Sequence, residues 1–326
     1  MRYVHIEGTQ LKVSALCLGT AQFGASLSES ESYEQMDYFF EKGGTFLDTA
    51  RVYSDWIPGE NGRSERIIGE YLAKRKTMDR WVISTKGGHD LQPVTGTYRL
   101  RKQKLFTDID NSLKALKRDC IDLYYLHRDN LELGVEEIID WMNKLVTNGK
   151  IRFFGCSNWK TQRIKEAQIY AKVSGKAGFV VNQPLWNIGC YAMTASTDST
   201  MVTMDKEMIQ FHLETNLTAV PYSSQAGGFF SMLNSSDKLV KEAALQSGYA
   251  TSTNLTFFLT VKELAAKYKV PISHIVIGYL LSNPITTIPV FSSRSIAELK
   301  ETIEGSEIEL SENDIKLLNS QNGSGQ

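Results

Sequence analysis

Thr45-Phe-Leu-Asp-Thr-Ala-Arg-Val-Tyr53 decides how the chain is read. A short apolar run, Phe46 and Leu47, ends on Asp48, which predicts a buried strand delivering a carboxylate at its carboxyl end. Burying that charge costs free energy unless a cation or several hydrogen bonds meet it. Two later apolar runs supply partners: Trp81 to Lys86 ends on a lysine, and Ile121 to His127 ends on a histidine. Tyr53 lies a few residues past the first of these strands. Three consecutive predicted strands that each finish on a titratable group describe a proton-handling site.

Outward from this centre, apolar runs and helical periodicities alternate. Strands are expected at 15–18, 45–48, 81–86, 121–127, 151–156, 179–183, 218–222 and 286–290. Helices are expected near 30–42, 63–74, 104–117, 135–148, 161–173, 203–215, 254–268 and 273–281, with another opening at Ser295. Strand-then-helix units argue for a parallel sheet, and eight of them argue for closure into a (β/α)8 TIM barrel of the α/β class. The barrel is expected to fill residues 1–326 as one domain, with an N-terminal hairpin at 1–14 and a flexible tail at 320–326. The stretches 189–201 and 227–253 exceed ordinary barrel loops and are candidate lids or substrate walls. Sites in such barrels gather at the carboxyl ends of the strands. Those ends are Gly19-Thr20, Asp48, Lys86, His127, Ser157-Asn158, Gln183, Tyr222 and Phe291-Ser292. Nearly all are polar or glycine although the strand bodies are apolar, a pattern that a purely structural barrel does not need.

Composition narrows the function. The chain carries 36 basic and 37 acidic side chains, for a net charge of −1, mixed along its length. It therefore shows no electrostatic footprint for nucleic acid or for an anionic membrane. Cys17, Cys120, Cys156 and Cys190 are widely spaced, without a C-x-x-C pair, and the histidines have no metal-ligand offsets. The sequence shows neither a signal-peptide core nor an apolar stretch of membrane-spanning length. A cytoplasmic protein acting on small molecules is expected, its oligomeric state open.

Lys86 has two chemical readings. It could be a Schiff-base nucleophile, or a charged neighbour that tunes another group. Tyr53 favours the second, because a phenol ordinarily titrates at about 10 and works near neutrality only where a cation stabilises its anion. Lys86 can supply that charge, and Asp48 can hold Lys86 protonated and oriented. A neutral His127 on the adjacent strand could hydrogen-bond a substrate carbonyl. The structural alternative is a buried ion pair, a core tyrosine and a satisfied histidine; their coincidence at consecutive strand ends weighs against it.

Ala15-Leu-Cys-Leu-Gly-Thr20, Phe46-Leu-Asp-Thr-Ala50 with Tyr53, Ile83-Ser-Thr-Lys86 and Ile121 to His127 follow one another along the chain. Gly149-Lys-Ile-Arg-Phe-Phe-Gly-Cys-Ser-Asn158, Asn182-Gln183, Pro221-Tyr-Ser223 and Ile288-Pro-Val290 come after them. In this order the segments resemble the aldo-keto reductase superfamily. The resemblance implies metal-independent carbonyl reduction with NAD(P)H, Tyr53 as general acid, Lys86 and Asp48 easing its proton transfer, and His127 orienting the carbonyl. It implies that Ser157, Asn158 and Gln183 hydrogen-bond the nicotinamide carboxamide, that Tyr222 stacks on the ring, and that Gly19 and Thr20 belong to the cofactor site. Ser223 to Gly228, with Gln225, Gly227 and Gly228, stands where the family's loop covers the pyrophosphate. The family's usual Pro-Leu there is Ser224-Gln225 in this chain.

At the adenosine end, Val290 to Arg294 and Glu298 to Thr302 match the last cofactor segment with three departures: Phe291 for glycine, Glu298 for glutamine and Thr302 for asparagine. An acid near the ribose favours a free 2′-hydroxyl, whereas Arg294 with Ser292 or Ser293 could pair a 2′-phosphate. The family's habit selects NADP, with NAD possible. Gln22, Phe23, Trp56, Arg128, Trp159 and Trp186 are the expected substrate wall. Aromatic walls interleaved with Asp55, Arg128 and Asn187 suit a sugar or polyol, and equally a hydrophobic aldehyde. Two rivals stand beside the reductase: a Schiff-base lyase or aldolase using Lys86, and a regulatory subunit that binds cofactor with little turnover.

Overall fold

Side chains along a strand point alternately to opposite faces, and in this chain the two faces feed two cores. The structure, a computed structural model, describes residues 1–89 and 100–321. The tail expected from residue 320 lies, from 322 on, outside the described residues. Strands β1 (Tyr3–His5) and β2 (Lys12–Ser14) form an antiparallel hairpin. They are followed by β3 (Cys17–Gly19), β4 (Phe46–Asp48), β5 (Val82–Gly87), β6 (Ile121–Leu126), β7 (Ile151–Ser157), β8 (Val181–Gln183), β9 (Thr218–Ala219) and β10 (Val290–Phe291). These eight are hydrogen-bonded in the order β10-β3-β4-β5-β6-β7-β8-β9, all parallel. A parallel bridge from Ala219 to Thr287, with Ile288 N–H donating to Ala219 O (2.8 Å) and Val290 N–H to Pro221 O (2.9 Å), joins the outer strands. The sheet thus closes into the expected (β/α)8 barrel.

The last two strands are shorter than the apolar runs suggested, because Pro221 and Pro289 carry no N–H to extend the ladder. The stretch 227–253, expected to be irregular, contains the helices Phe229–Leu233 and Lys238–Leu245. Asp237 starts the second of them, its side chain accepting from Leu239 N–H at 2.8 Å.

Phe46, Leu123, Tyr125, Val181 and Val220 point into the barrel and pack with Cys17, Ile288 and Val290. Ile6, Leu11 and Val13 of the hairpin complete this interior core and plug the amino end. The intervening Leu47, Tyr124 and Leu126 belong to the core beneath the helices. Helix Val135–Thr147 shows how that outer layer attaches: Val135, Ile138, Ile139, Met142 and Leu145 recur at helical spacing, and all are buried. Two residues beyond Phe46, Ser84, Tyr125 and Val181, the alternation carries Asp48, Lys86, His127 and Gln183 onto the inner face at the carboxyl mouth.

Behind β5, fully buried Glu65 accepts a hydrogen bond from Thr85 Oγ1 at 2.6 Å. Burial pushes its carboxyl up from an ordinary 4.5 to about 7. The folded protein therefore keeps a proton that the unfolded chain releases, so this stabilisation is complete below 4.5 and is lost as pH rises through about 7. Urea melts should show wild type losing up to about 3 kcal/mol relative to Glu65→Gln across that window. A difference independent of pH would contradict the buried proton.

Candidate active site

β4 and β5 pair with Asp48 opposite Ser84, and the pairing continues past β4. Thr49 N–H donates to Ser84 O and Arg51 N–H to Lys86 O, each at 2.9 Å. This continuation sets Tyr53 over Lys86, whose Nζ lies 4.7 Å from the centre of the phenol ring. Ser54, at φ +67°, then turns the chain and donates from Oγ to Phe23 O at 2.8 Å.

Lys86 is 1% exposed and Asp48 2%. Lys86 Nζ donates to Asp48 Oδ2 (2.5 Å), Thr49 O (2.7 Å) and Tyr53 Oη (3.1 Å). An ammonium has three N–H bonds, and each finds an acceptor. Burial works against the charge, yet Asp48 and Tyr53 outweigh it and hold the Lys86 amine above its ordinary value. Lys86 is therefore a fixed cation rather than a neutral amine. Asp48 Oδ1 accepts from Ser84 Oγ (2.8 Å) and Gln183 Nε2 (3.2 Å), so the carboxylate is satisfied on both oxygens.

His127 meets Tyr53 edge to face, ring centres 6.1 Å apart. Burial, with Arg128, His89 and Lys86 nearby, pushes its imidazole well below the ordinary value, so the ring is neutral. His127 Nδ1 has no hydrogen-bond partner among the described residues. His89, whose ring centre lies 4.8 Å from that of His127, is an addition to the expected set. Its signal was a histidine immediately after the Gly87-Gly88 end of β5.

A chain of hydrogen bonds runs around the mouth from Asp48. Gln183 donates to Asp48, Ser157 Oγ to Gln183 O (2.8 Å), Asn158 Nδ2 to Ser157 Oγ (3.1 Å) and Tyr222 Oη to Asn158 Oδ1 (2.8 Å). From Asp48 and Tyr53 a cavity of about 650 Å³ passes Gly19, Gln22 and Tyr222. It continues along Ser223, Gln225, Gly227 and Gly228 to Ser292, Ser293, Arg294 and Glu298. Gly19 is required by packing: a Cβ there would meet Val290 Cγ1 at 2.9 Å and Phe291 O at 3.1 Å. Ser223, Ala226, Gly227 and Gly228 have φ of +53°, +52°, +60° and +80°. This loop, left-handed at four positions, is held by Ser224 Oγ to Val290 O (2.7 Å), Gln225 Nε2 to Thr302 Oγ1 (2.9 Å) and Asn187 Nδ2 to Ser223 O (3.0 Å).

Other expected residues are not among those lining this cavity. Thr20 is buried, its hydroxyl bonded to Asp48 O (3.0 Å) and Ser64 Oγ (2.9 Å). Phe23, Trp159 and Trp186 lie in the core; Trp159 packs on Phe179 at 5.1 Å and Trp186 on Tyr279 at 6.1 Å. Trp56 is exposed. Arg128 pairs with Asp198 and donates to Thr200 Oγ1 at 2.7 Å, clipping the long loop beside His127.

An elongated groove thus runs from a lysine-backed phenol at one end, past a glycine-lined middle, to an arginine at the other. The family model described as Aldo/keto reductase family matches residues 15–322. The chain belongs to the aldo/keto reductase family. It is 28% identical to an uncharacterized oxidoreductase, YrpG, of Bacillus subtilis (strain 168), over 98% of this chain and 95% of that one. It is also 28% identical to a putative aryl-alcohol dehydrogenase, AAD14, of Saccharomyces cerevisiae, over 95% of this chain and 83% of the relative. Among solved structures, a thermostable aldo-keto reductase, Tm1743, crystallised with the inhibitor epalrestat, superposes with a TM-score of 0.72 at 25% identity. That match covers 98% of this chain and 100% of the other. As a member of this family the protein is an oxidoreductase, and the family uses nicotinamide cofactors. No helix among the described residues is long and apolar enough to cross a membrane.

Proposed function

We propose that the protein reduces an aldehyde or ketone reversibly to the alcohol, with Tyr53 as general acid. The observation that carries this is the hydrogen bond from the Lys86 ammonium to Tyr53 Oη at 3.1 Å, on a lysine anchored by Asp48. Since Tyr53 Oη accepts from Lys86, its own proton is available to the cavity. As that proton leaves, the charge developing on Oη faces a fixed, buried cation already in place, so the attraction is strong and no reorganisation is needed. Neutral His127 gives an N–H to the carbonyl oxygen and aligns it. Ser157, Asn158 and Gln183 would hold the carboxamide of the cofactor, Tyr222 would cover its ring, and the backbone of Ser223 to Gly228 would meet its phosphates. When bound, reduced nicotinamide supplies the hydride.

The saturated ammonium of Lys86 speaks against a Schiff base, which needs a free lone pair on that nitrogen. The similarity to an aryl-alcohol dehydrogenase supports an aromatic aldehyde as first substrate, with a sugar aldehyde as the second trial. Mixed with either aldehyde and NADH or NADPH, the protein should consume reduced nicotinamide and release the alcohol. Borohydride added with the aldehyde should leave Lys86 unmodified in a peptide map. A reduced adduct on Lys86 would install the lyase, and saturable cofactor binding without turnover across a carbonyl panel would install the regulatory subunit.

A further inference from the structure

Far from Tyr53, the adenosine end of the cavity carries a charge arrangement that bears on the choice of nicotinamide, provided the proposed cofactor site is correct. Helix Ile296–Gly305 opens with Ser295, whose Oγ accepts from Glu298 N–H at 3.2 Å. That cap, together with Arg294 N–H donating to Glu298 Oε2 at 2.8 Å, fixes the carboxylate on the first turn. The Arg294 side chain then folds onto it, Nη2 at 2.8 Å and Nε at 3.1 Å from Oε1. These N–H groups are the ones an arginine offers to a phosphate.

The pair is largely exposed and contributes little to folding. Its consequence is for what else Arg294 can hold. Ser293, the neighbouring candidate, is 4% exposed and its Oγ proton is already given to Gln35 Oε1 at 3.1 Å. Glu301 also lines this end, its carboxylate accepting from Ser273 Oγ, so this end carries two carboxylates and one guanidinium. A 2′-phosphate would have to take Arg294 from Glu298 and then sit beside that carboxylate, whereas a free 2′-hydroxyl can donate to it.

We infer that Glu298 sets the cofactor preference by competing for Arg294, and that the site binds NADH at least as tightly as NADPH. The NADP expected from family habit requires an Arg294 that this carboxylate does not occupy.

The full-length protein, titrated with NADH and separately with NADPH by tryptophan quenching without substrate, should give a dissociation constant for NADH equal to or below that for NADPH. Glu298→Gln removes the charge and should tighten NADPH about tenfold while moving NADH by less than about threefold. Adding Arg294→Ala to that variant should cancel the gain. A gain that survives loss of Arg294 overturns the competition, as does a wild type that prefers NADPH by about tenfold or more; both leave the reductase site standing. Binding of neither nucleotide overturns the nicotinamide site itself, and the inference with it.

Discussion

Tyr53→Phe should lower the rate of carbonyl reduction about a thousandfold while leaving cofactor affinity within about twofold of wild type. The substitution removes one oxygen and keeps the ring, so the edge contact with His127 at 6.1 Å survives. Lys86 loses one of three acceptors and keeps Asp48 and Thr49 O, which is enough to hold it in place. On the proposed mechanism, what disappears is the proton that neutralises the oxygen of the reacting carbonyl, a group engaged as charge develops. The loss should therefore appear in kcat with little change in KM. Undiminished reduction by this variant would remove Tyr53 from the mechanism.

Lys86→Met should abolish turnover to a similar degree and also destabilise the fold by about 3–5 kcal/mol, because Asp48 is left as a buried charge without its cation. The second effect has an internal control. Replacing both partners, Asp48→Asn with Lys86→Met, removes the stranded charge, so most of the stability should return while activity stays absent. Denaturant midpoints and turnover measured on the same three proteins separate the two roles. A Lys86→Met protein with the wild-type midpoint would show that the pair is not truly buried, and activity regained in the double variant would dismiss Lys86 from catalysis.

The Asp48–Lys86 end of the candidate site was legible because a strand of period two leaves a charged residue few options. Asp48, Lys86 and His127 stand two positions after inward-facing residues, so each had to emerge at the mouth of the barrel. Tyr53 obeys no such parity; its place depends on Thr49 and Arg51 continuing to pair with β5, a backbone detail without a side-chain signature. Phe23, Trp159 and Trp186 mark the same limit, since an aromatic just past a strand end can cover the mouth or enter the layer beneath the helices. Here packing on Phe179 and Tyr279 drew both tryptophans inward. At the far end of the groove, the four-residue spacing of Arg294 and Glu298 is visible in the sequence. The turning of Ser293 towards Gln35 is not, because the two meet only once the barrel has closed.

That closure has a cost during synthesis. β3 is completed by β10 through Cys17 with Val290 and Leu18 with Phe291, and the amino terminus is tied down by Glu307 at 3.1 Å and by Ser306 O, which accepts from Arg2 at 2.8 Å. The first barrel strand therefore leaves the ribosome with one edge bare and finds its last neighbour only after the roughly 270 residues between Gly19 and Val290 have been made. At roughly 5–20 residues per second, that interval lasts on the order of tens of seconds. Throughout it, an apolar strand edge is open to pairing with other nascent chains. Yield in a cell should accordingly follow chaperone supply and growth temperature more closely than the stability of the finished barrel.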